Sequence, residues 1–242
     1  MNSPLLLEQR TEAWRMARAG KVTASCIADV LAKVKGREAT TRANYRAQII
    51  AEVLTGTPAD NPFVSRPMQW GIDTEPFARA AYELKYEVMI DTVGFVLHPT
   101  IESFGASPDG MIGKGLVQFK CPHTATHIEY LLKGDVPAEY QHQMLAEMAC
   151  TNAAWCDFVS FDPRLPSELQ LFVRRFPRDQ TRIAEIELEV TKFLAEVKDM
   201  LVRLSCLGDM EPLLRKSVEI AKLKHGPQPI VAILDQGRED YA

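Results

Sequence analysis

The sequence predicts an α/β domain of the α+β type, a mixed central sheet with helices packed on it. Three observations carry this. Helix-period segments come first, a cluster of short strand-like runs broken by Pro and Gly follows, and helix and strand segments then alternate to the end. The 242 residues are enough for one sizeable domain or two small ones, 46% of them are hydrophobic and 25% charged, and both percentages are ordinary for a globular chain.

The elements are expected as follows. Thr23 reads as the N-cap of a helix through Ile27, Val30 and Leu31. A helix over 41–55 places Tyr45, Ile49 and Val53 on one side and stops at Gly56. Residues 60–68 form a proline-interrupted loop. A third helix starts near Thr74, with Phe77, Ala80, Ala81 and Leu84 as its apolar stripe. Strand-like runs cover 88–97, 104–106 and 116–120, punctuated by Pro99, by Pro108-Asp109-Gly110 and by Gly113-Lys114-Gly115. A helix over 137–150 carries Met144, Leu145 and Met148. Strands over 155–161 and 169–176 and a long amphipathic helix over 179–204 complete the domain, and the tail over 211–242 is expected to fray.

Composition excludes several classes. No apolar run approaches the ~20 residues that span a bilayer. The start, MNSPLLLEQRTEAW, has too short an apolar run for a signal peptide, so a cytosolic protein is expected. Five cysteines without a CxxC indicate neither a disulfide framework nor a zinc cluster. The net charge of −4 is low for a nucleic-acid binder, but a local basic surface suffices for phosphates. Lys33, Lys35 and Arg37 cluster around Gly36, followed by Arg42 and Arg46, as one such place.

The chemistry concentrates between Ser107 and Lys120. Asp109 sits at a turn, and Gln118 and Lys120 lie two apart on the next strand, so both point to one face. A hairpin brings Asp109 close to that pair. Oxygen ligands and a lysine on one edge are what a Mg²⁺-dependent phosphodiesterase needs. Glu75, read as opening a helix, is the third acid; a carboxylate there is also what the helix dipole favours by itself.

These residues resemble the PD-(D/E)xK nuclease superfamily, with its restriction-endonuclease-like core, and within it the lambda exonuclease and phage recombination exonuclease (YqaJ-like viral recombinase) family. The matching pieces run in family order: Trp14 and Arg18 to Ser25, Trp70-Gly71 with Glu75, Ser107-Pro108-Asp109-Gly110, Gln118-Phe119-Lys120-Cys121-Pro122, Gln141-His142-Gln143, and Asp157 to Arg164. The resemblance covers roughly 10–204, and implies an exonuclease domain over 1–205 and a C-terminal extension over 206–242.

The resemblance also implies roles. Asp109, residue 118 and the Phe119 backbone carbonyl bind Mg²⁺, which Mn²⁺ replaces, and Glu75 serves the same site. Lys120 handles the attacking water and Gln141 stands beside it. Arg18, Ser25 and Ser107 match a 5′-phosphate pocket. Lys35 falls where the family has an arginine trailing into DNA. Met68 aligns with an apolar wedge at the duplex end, or packs as a loop methionine. The implied activity is 5′→3′ digestion of linear duplex DNA to mononucleotides, by a homotrimeric ring working with a single-strand annealing protein in a bacterial host. Gln118 departs from the pattern, which wants Glu or Asp. A glutamine keeps a ligating oxygen and loses the charge. It is either an amide natural to some families or a Glu→Gln replacement that inactivates the site; the second is taken, because its surroundings match a working site. A site-specific endonuclease and a non-catalytic DNA-end-binding scaffold are the alternatives.

Overall fold

The computed structural model describes residues 8–59 and 65–206. Its helices are α1 (Glu12–Arg18), α2 (Ile27–Leu31), α3 (Thr40–Thr55), α4 (Arg66–Tyr86), α5 (Thr124–Lys133), α6 (Ala138–Thr151) and α7 (Gln180–Ser205). The strands are β1 (Val22–Thr23), β2 (Lys33–Val34), β3 (Arg37–Glu38), β4 (Val96–Leu97), β5 (Phe104–Ala106), β6 (Gly110–Ile112), β7 (Gly115–Lys120), β8 (Trp155–Phe161) and β9 (Leu171–Pro177). The main sheet has the order β6-β7-β8-β9; its central pair β7 and β8 is parallel and both outer pairs are antiparallel. A second sheet has the order β1-β5-β4, and β2 and β3 form a hairpin. The chain is thus a mixed α/β structure, as expected.

Alternation along β7 sets the layers. Val117 and Phe119 enter an apolar cluster with Ala78 and Tyr82 of α4 and Val159 and Phe161 of β8. Leu116 enters the larger cluster, with Met144, Leu145 and Met148 of α6 and the inner stripe of α7. Helix α4 therefore covers one face of the sheet, and α6 backed by α7 covers the other. The stripe on α7 is Ile183, Ile186, Val190, Phe193, Val197 and Leu201, a three-four spacing that keeps one side buried. Its first turn is capped by Asp179, which accepts from the Thr181 and Arg182 N–H groups.

Several local expectations are corrected. Thr23 precedes a 3-10 turn over Ala24–Cys26 and makes no capping bond; its hydroxyl lies 3.2 Å from that of Ser25. Helix α4 starts after its cap Ser65, not near Thr74, because Gly71 and Pro76 sit inside the helix where they normally mark a boundary. Met68 is consequently in the first turn of a helix, and Glu75 is in mid-helix. The expected stripe is displaced too. Phe77 and Leu84 are 65% and 83% exposed and Ala80 is exposed, whereas Thr74, Ala78 and Tyr82 are buried. The run over 88–97 is no single strand: it holds β4 and one isolated bridge from Asp91 to Met111. Helix α5 and hairpin β2–β3 were not anticipated. Residues 60–64 of the expected loop and the tail over 211–242 lie outside the described residues.

Candidate active site

Asp109 ends the turn between β5 and β6. Its Oδ2 accepts the Phe119 N–H at 2.8 Å. In a strand the N–H and C=O of one residue face the same neighbour, so the Phe119 carbonyl lies along the edge that Asp109 occupies. Gly110 makes this approach possible, since a Cβ there would stand 2.1 Å from Ile90 Cγ2. From α4, Arg79 donates to the Asp109 backbone carbonyl and lies 5.7 Å over the Phe119 ring. Glu75, one turn earlier, pairs with Arg10 at 2.8 Å. Burial raises the Asp109 carboxyl above its ordinary pKa and Glu75 adds to this, while Lys120, the Phe119 N–H and Arg79 oppose it.

Gln118 and Lys120 share the α6 face of β7. Lys120 Nζ stands 4.9 Å from the Tyr140 ring centroid. Gln118 is 1% exposed and donates from Nε2 to Glu147 Oε1 at 3.4 Å. Glu147 also takes a bond from Gln143 Nε2, one turn back on α6, at 2.8 Å. Burial, then the charge of Asp109, pushes the Glu147 carboxyl up to about 8. Gln118 Oε1 and Glu147 Oε2 are both buried without a hydrogen-bond partner. Sequence reading missed Glu147. Its trace there was a lone acid among Met144, Leu145 and Met148, on a face that otherwise reads as core. Gln141 points elsewhere: it donates to the Val136 carbonyl and accepts from Arg182, each at 3.1 Å. The glutamine of α6 that reaches the Gln118 side is Gln143.

Arg18, Ser25 and Ser107 come together. Arg18 donates to the Ser107 hydroxyl at 3.4 Å and to that of Ser25 at 3.2 Å, and lies 4.2 Å over the Trp14 ring. Trp14 Nε1 donates to Ser107 at 2.9 Å. The parallel pairing of β1 with β5 brings the two segments side by side. Burial lowers the Arg18 pKa, and among the described residues no carboxylate forms an ion pair with it. A half-buried guanidinium held by two hydroxyls and an indole face is suited to a phosphate oxyanion.

The other expected DNA contacts are dispersed. Lys35 is exposed at the β2–β3 turn, where it and Gly36 take φ of 50° and 74°. Met68 is 53% exposed, so it is not packed on the core. Arg42 and Arg46 leave the expected basic surface altogether. Both are buried between α3 and α7, and Arg42 grips Glu196 through two bonds of 2.6 and 2.9 Å. Arg46 joins Glu196 at 2.6 Å and Glu38 at 3.1 Å.

A divalent metal fits the donors present in kind. Asp109, Gln118 Oε1 and the Phe119 carbonyl are hard oxygen donors on one strand edge, and the amide oxygen lacks any other partner. Among the described residues no three His, Cys, Asp or Glu side chains gather as a metal-binding group, in keeping with an amide at 118.

Comparison with known proteins gives the family and the fold. The family model for the YqaJ-like viral recombinase domain matches residues 13–154. The crystal structure of LHK-Exo in complex with dAMP is 48% identical, with a TM-score of 0.75 over 80% of this chain and 96% of that one. The alkaline exonuclease LHK-Exo from Laribacter hongkongensis, in a second structure, is 48% identical with a TM-score of 0.74 over 81% and 96%. A phage-related exonuclease from Haemophilus somnus 129PT shares the fold at 16% identity, with a TM-score of 0.59 over 76% and 96%. No curated protein sequence matches the chain. The chain belongs to the YqaJ-like viral recombinase family.

Proposed function

We propose that this chain is a metal-dependent 5′→3′ exonuclease on linear double-stranded DNA, which releases mononucleotides and leaves 3′ single-stranded overhangs for annealing-type recombination. The observation that carries the reading is the convergence of Arg18, Ser25 and Ser107 two residues from Asp109. It supports a terminal-phosphate pocket next to a metal edge, the pairing that end-directed cleavage requires. Similarity to an alkaline exonuclease supports it. The core is of the restriction-endonuclease type, one nuclease domain covers 1–205, and 206–242 is an extension. A homotrimer, an annealing-protein partner and the cytoplasm of a phage's bacterial host complete the proposal. Among the described residues no helix is long and apolar enough to cross a membrane.

Asp109, Gln118 and the Phe119 carbonyl would hold Mg²⁺, or Mn²⁺ in its place, with Glu75 serving the α4 side. The bound ion polarises the scissile phosphate and makes water more acidic. Lys120 donates to the attacking water or to charge developing on phosphate. The Phe119 N–H and Arg79 fix Asp109 in position. Arg18 and the two hydroxyls hold the terminal phosphate and so set the register of each cut.

The test is digestion of matched linear and closed circular duplexes with Mg²⁺ or EDTA, by the chain and by Gln118→Glu. Metal-dependent loss of the linear form alone is expected. Cutting of the circle means an endonuclease. The neutral amide at 118 favours a second reading, a DNA-end-binding scaffold, and end binding with no cleavage by either form would establish it.

A further inference from the structure

We propose that Glu147 is the second carboxylate of the Asp109 metal site, so that the acid missing at position 118 is carried by α6 and the glutamine stands on β7. This rests on the nuclease reading above, and it replaces the account of Gln118 as an inactivating change. Glu147 is 2% exposed, and no cation pairs with it among the described residues. A buried carboxyl without a cation is expensive to keep charged, and an apolar side chain would fill that place on the core face of α6 at less cost. Its bonds are to the amides of Gln118 and Gln143, and they leave Oε2 with no partner. Gln118 Oε1 is equally bare. Two unpaired oxygens thus sit on side chains that are both at least nine-tenths buried and are joined by the 3.4 Å bond between Gln118 and Glu147, and Gln118 adjoins Phe119, whose N–H Asp109 accepts. Unsatisfied buried acceptors are rare in folded proteins, and a shared cation satisfies both at once. Asp109 and Glu147 with Gln118 Oε1 and the Phe119 carbonyl make an all-oxygen set with two negative charges, within the range that Mg²⁺ sites use.

The exchange of acid and amide makes the idea testable by a swap. Mn²⁺ binding is measured by titration calorimetry, and Mg²⁺-dependent digestion of a 5′-phosphorylated duplex alongside it, for the parent, Glu147→Gln, Gln118→Glu and the double variant. Thermal melts confirm folding, and the isosteric replacements preserve shape. Glu147→Gln is expected to weaken Mn²⁺ binding roughly 10–100-fold, with digestion falling in parallel. Gln118→Glu combined with Glu147→Gln should return both to near the parent level. Parental Mn²⁺ affinity in Glu147→Gln overturns the proposal, and so does a double variant no better than Glu147→Gln. If the Mn²⁺ pattern appears but no form digests DNA, the metal site stands and the nuclease reading falls. If all forms digest DNA equally, the nuclease reading stands and Glu147 is excluded.

Discussion

The Arg42–Arg46 pair is buried and Arg18 half-buried beside the same core, and the two are matched by their surroundings to different degrees. Arg42 and Arg46 share two carboxylates, Glu38 and Glu196, and clamp α3 to α7. Arg18 meets two hydroxyls and an indole face. Paired charge of the first kind is structural and has little left to offer a ligand. Unpaired charge of the second kind costs stability unless an anion arrives. The same contrast separates the Asp157–Arg175 pair, joined by two bonds of 2.8 and 3.0 Å, from Glu147, whose Oε2 has no partner. Function in this molecule is sought where charge is left incompletely matched.

The largest effect should come from the incompletely matched side. Asp109→Ala and Lys120→Ala are each expected to lower digestion of linear duplex by roughly 10²–10³ or more. Duplex binding should stay near parental, and Tm should fall by no more than a few degrees, since Asp109 gives up one backbone bond and neither residue belongs to the arginine clamp. Near-parental turnover in either variant would remove the distinction between a reacting edge and a structural one.

Next in size is the phosphate pocket. Rates on duplexes with and without a 5′ phosphate should differ by about one to two orders of magnitude, because a charge-assisted bond contributes roughly 1.5–3 kcal/mol. Arg18→Ala should erase most of that difference. An unchanged preference would mean that Arg18 braces Trp14 and Ser107 and binds nothing.

How much of this was readable beforehand follows from the range of the interactions. Asp109 and the Gln118–Lys120 pair were legible because a turn signal and a period-two spacing are local. Arg18 with its serines was legible only through family resemblance, since β1 meets β5 across some eighty intervening residues. Glu75 was found as a residue but misplaced, because Gly71 and Pro76 disguise the interior of α4 as its start. Glu147 was not found at all, and Gln143 was named only within the Gln141-His142-Gln143 motif. In both cases the deciding fact is which side of α6 faces β7, which depends on tertiary packing. Arg42 and Arg46 read as free cations because their partner Glu196 is about 150 positions away.

The clamp supplies the third prediction. Arg42→Ala should lower stability by roughly 1–2 kcal/mol, a figure discounted because Glu38 and Glu196 are each 39% exposed. For a chain of this size that corresponds to a fall of a few degrees in Tm. The 5′-phosphate preference should be unchanged. Loss of that preference on mutating Arg42 would abolish the contrast between the two clusters.

The smallest effect, and the most specific to the clamp, is its response to acid. Arg46 first and Arg42 next hold the Glu38 carboxyl below its ordinary pKa, and Arg42 above all does so for Glu196. An acid whose pKa is lower folded than unfolded adds stability above the unfolded value, here about 4.5, and loses it as pH falls towards the folded value. The gap in Tm between parent and Arg42→Ala should therefore be full near pH 7 and shrink below about pH 4.5. Comparing the gap and not the Tm itself removes the opposing contributions of Asp109 and Glu147, whose carboxyls are shifted upward and are common to both proteins. The control is Arg18→Ala. No carboxylate forms an ion pair with Arg18 among the described residues and Glu52 acts on it only through its charge, so its own Tm gap from the parent should narrow less on acidification. Thermal melts of the three proteins from pH 7 to pH 4, at one ionic strength, make the measurement. A gap for Arg42→Ala that stays constant in acid would show that the arginine stabilises by packing its stem against Phe193, 5.1 Å from the guanidinium carbon, and not by its charge.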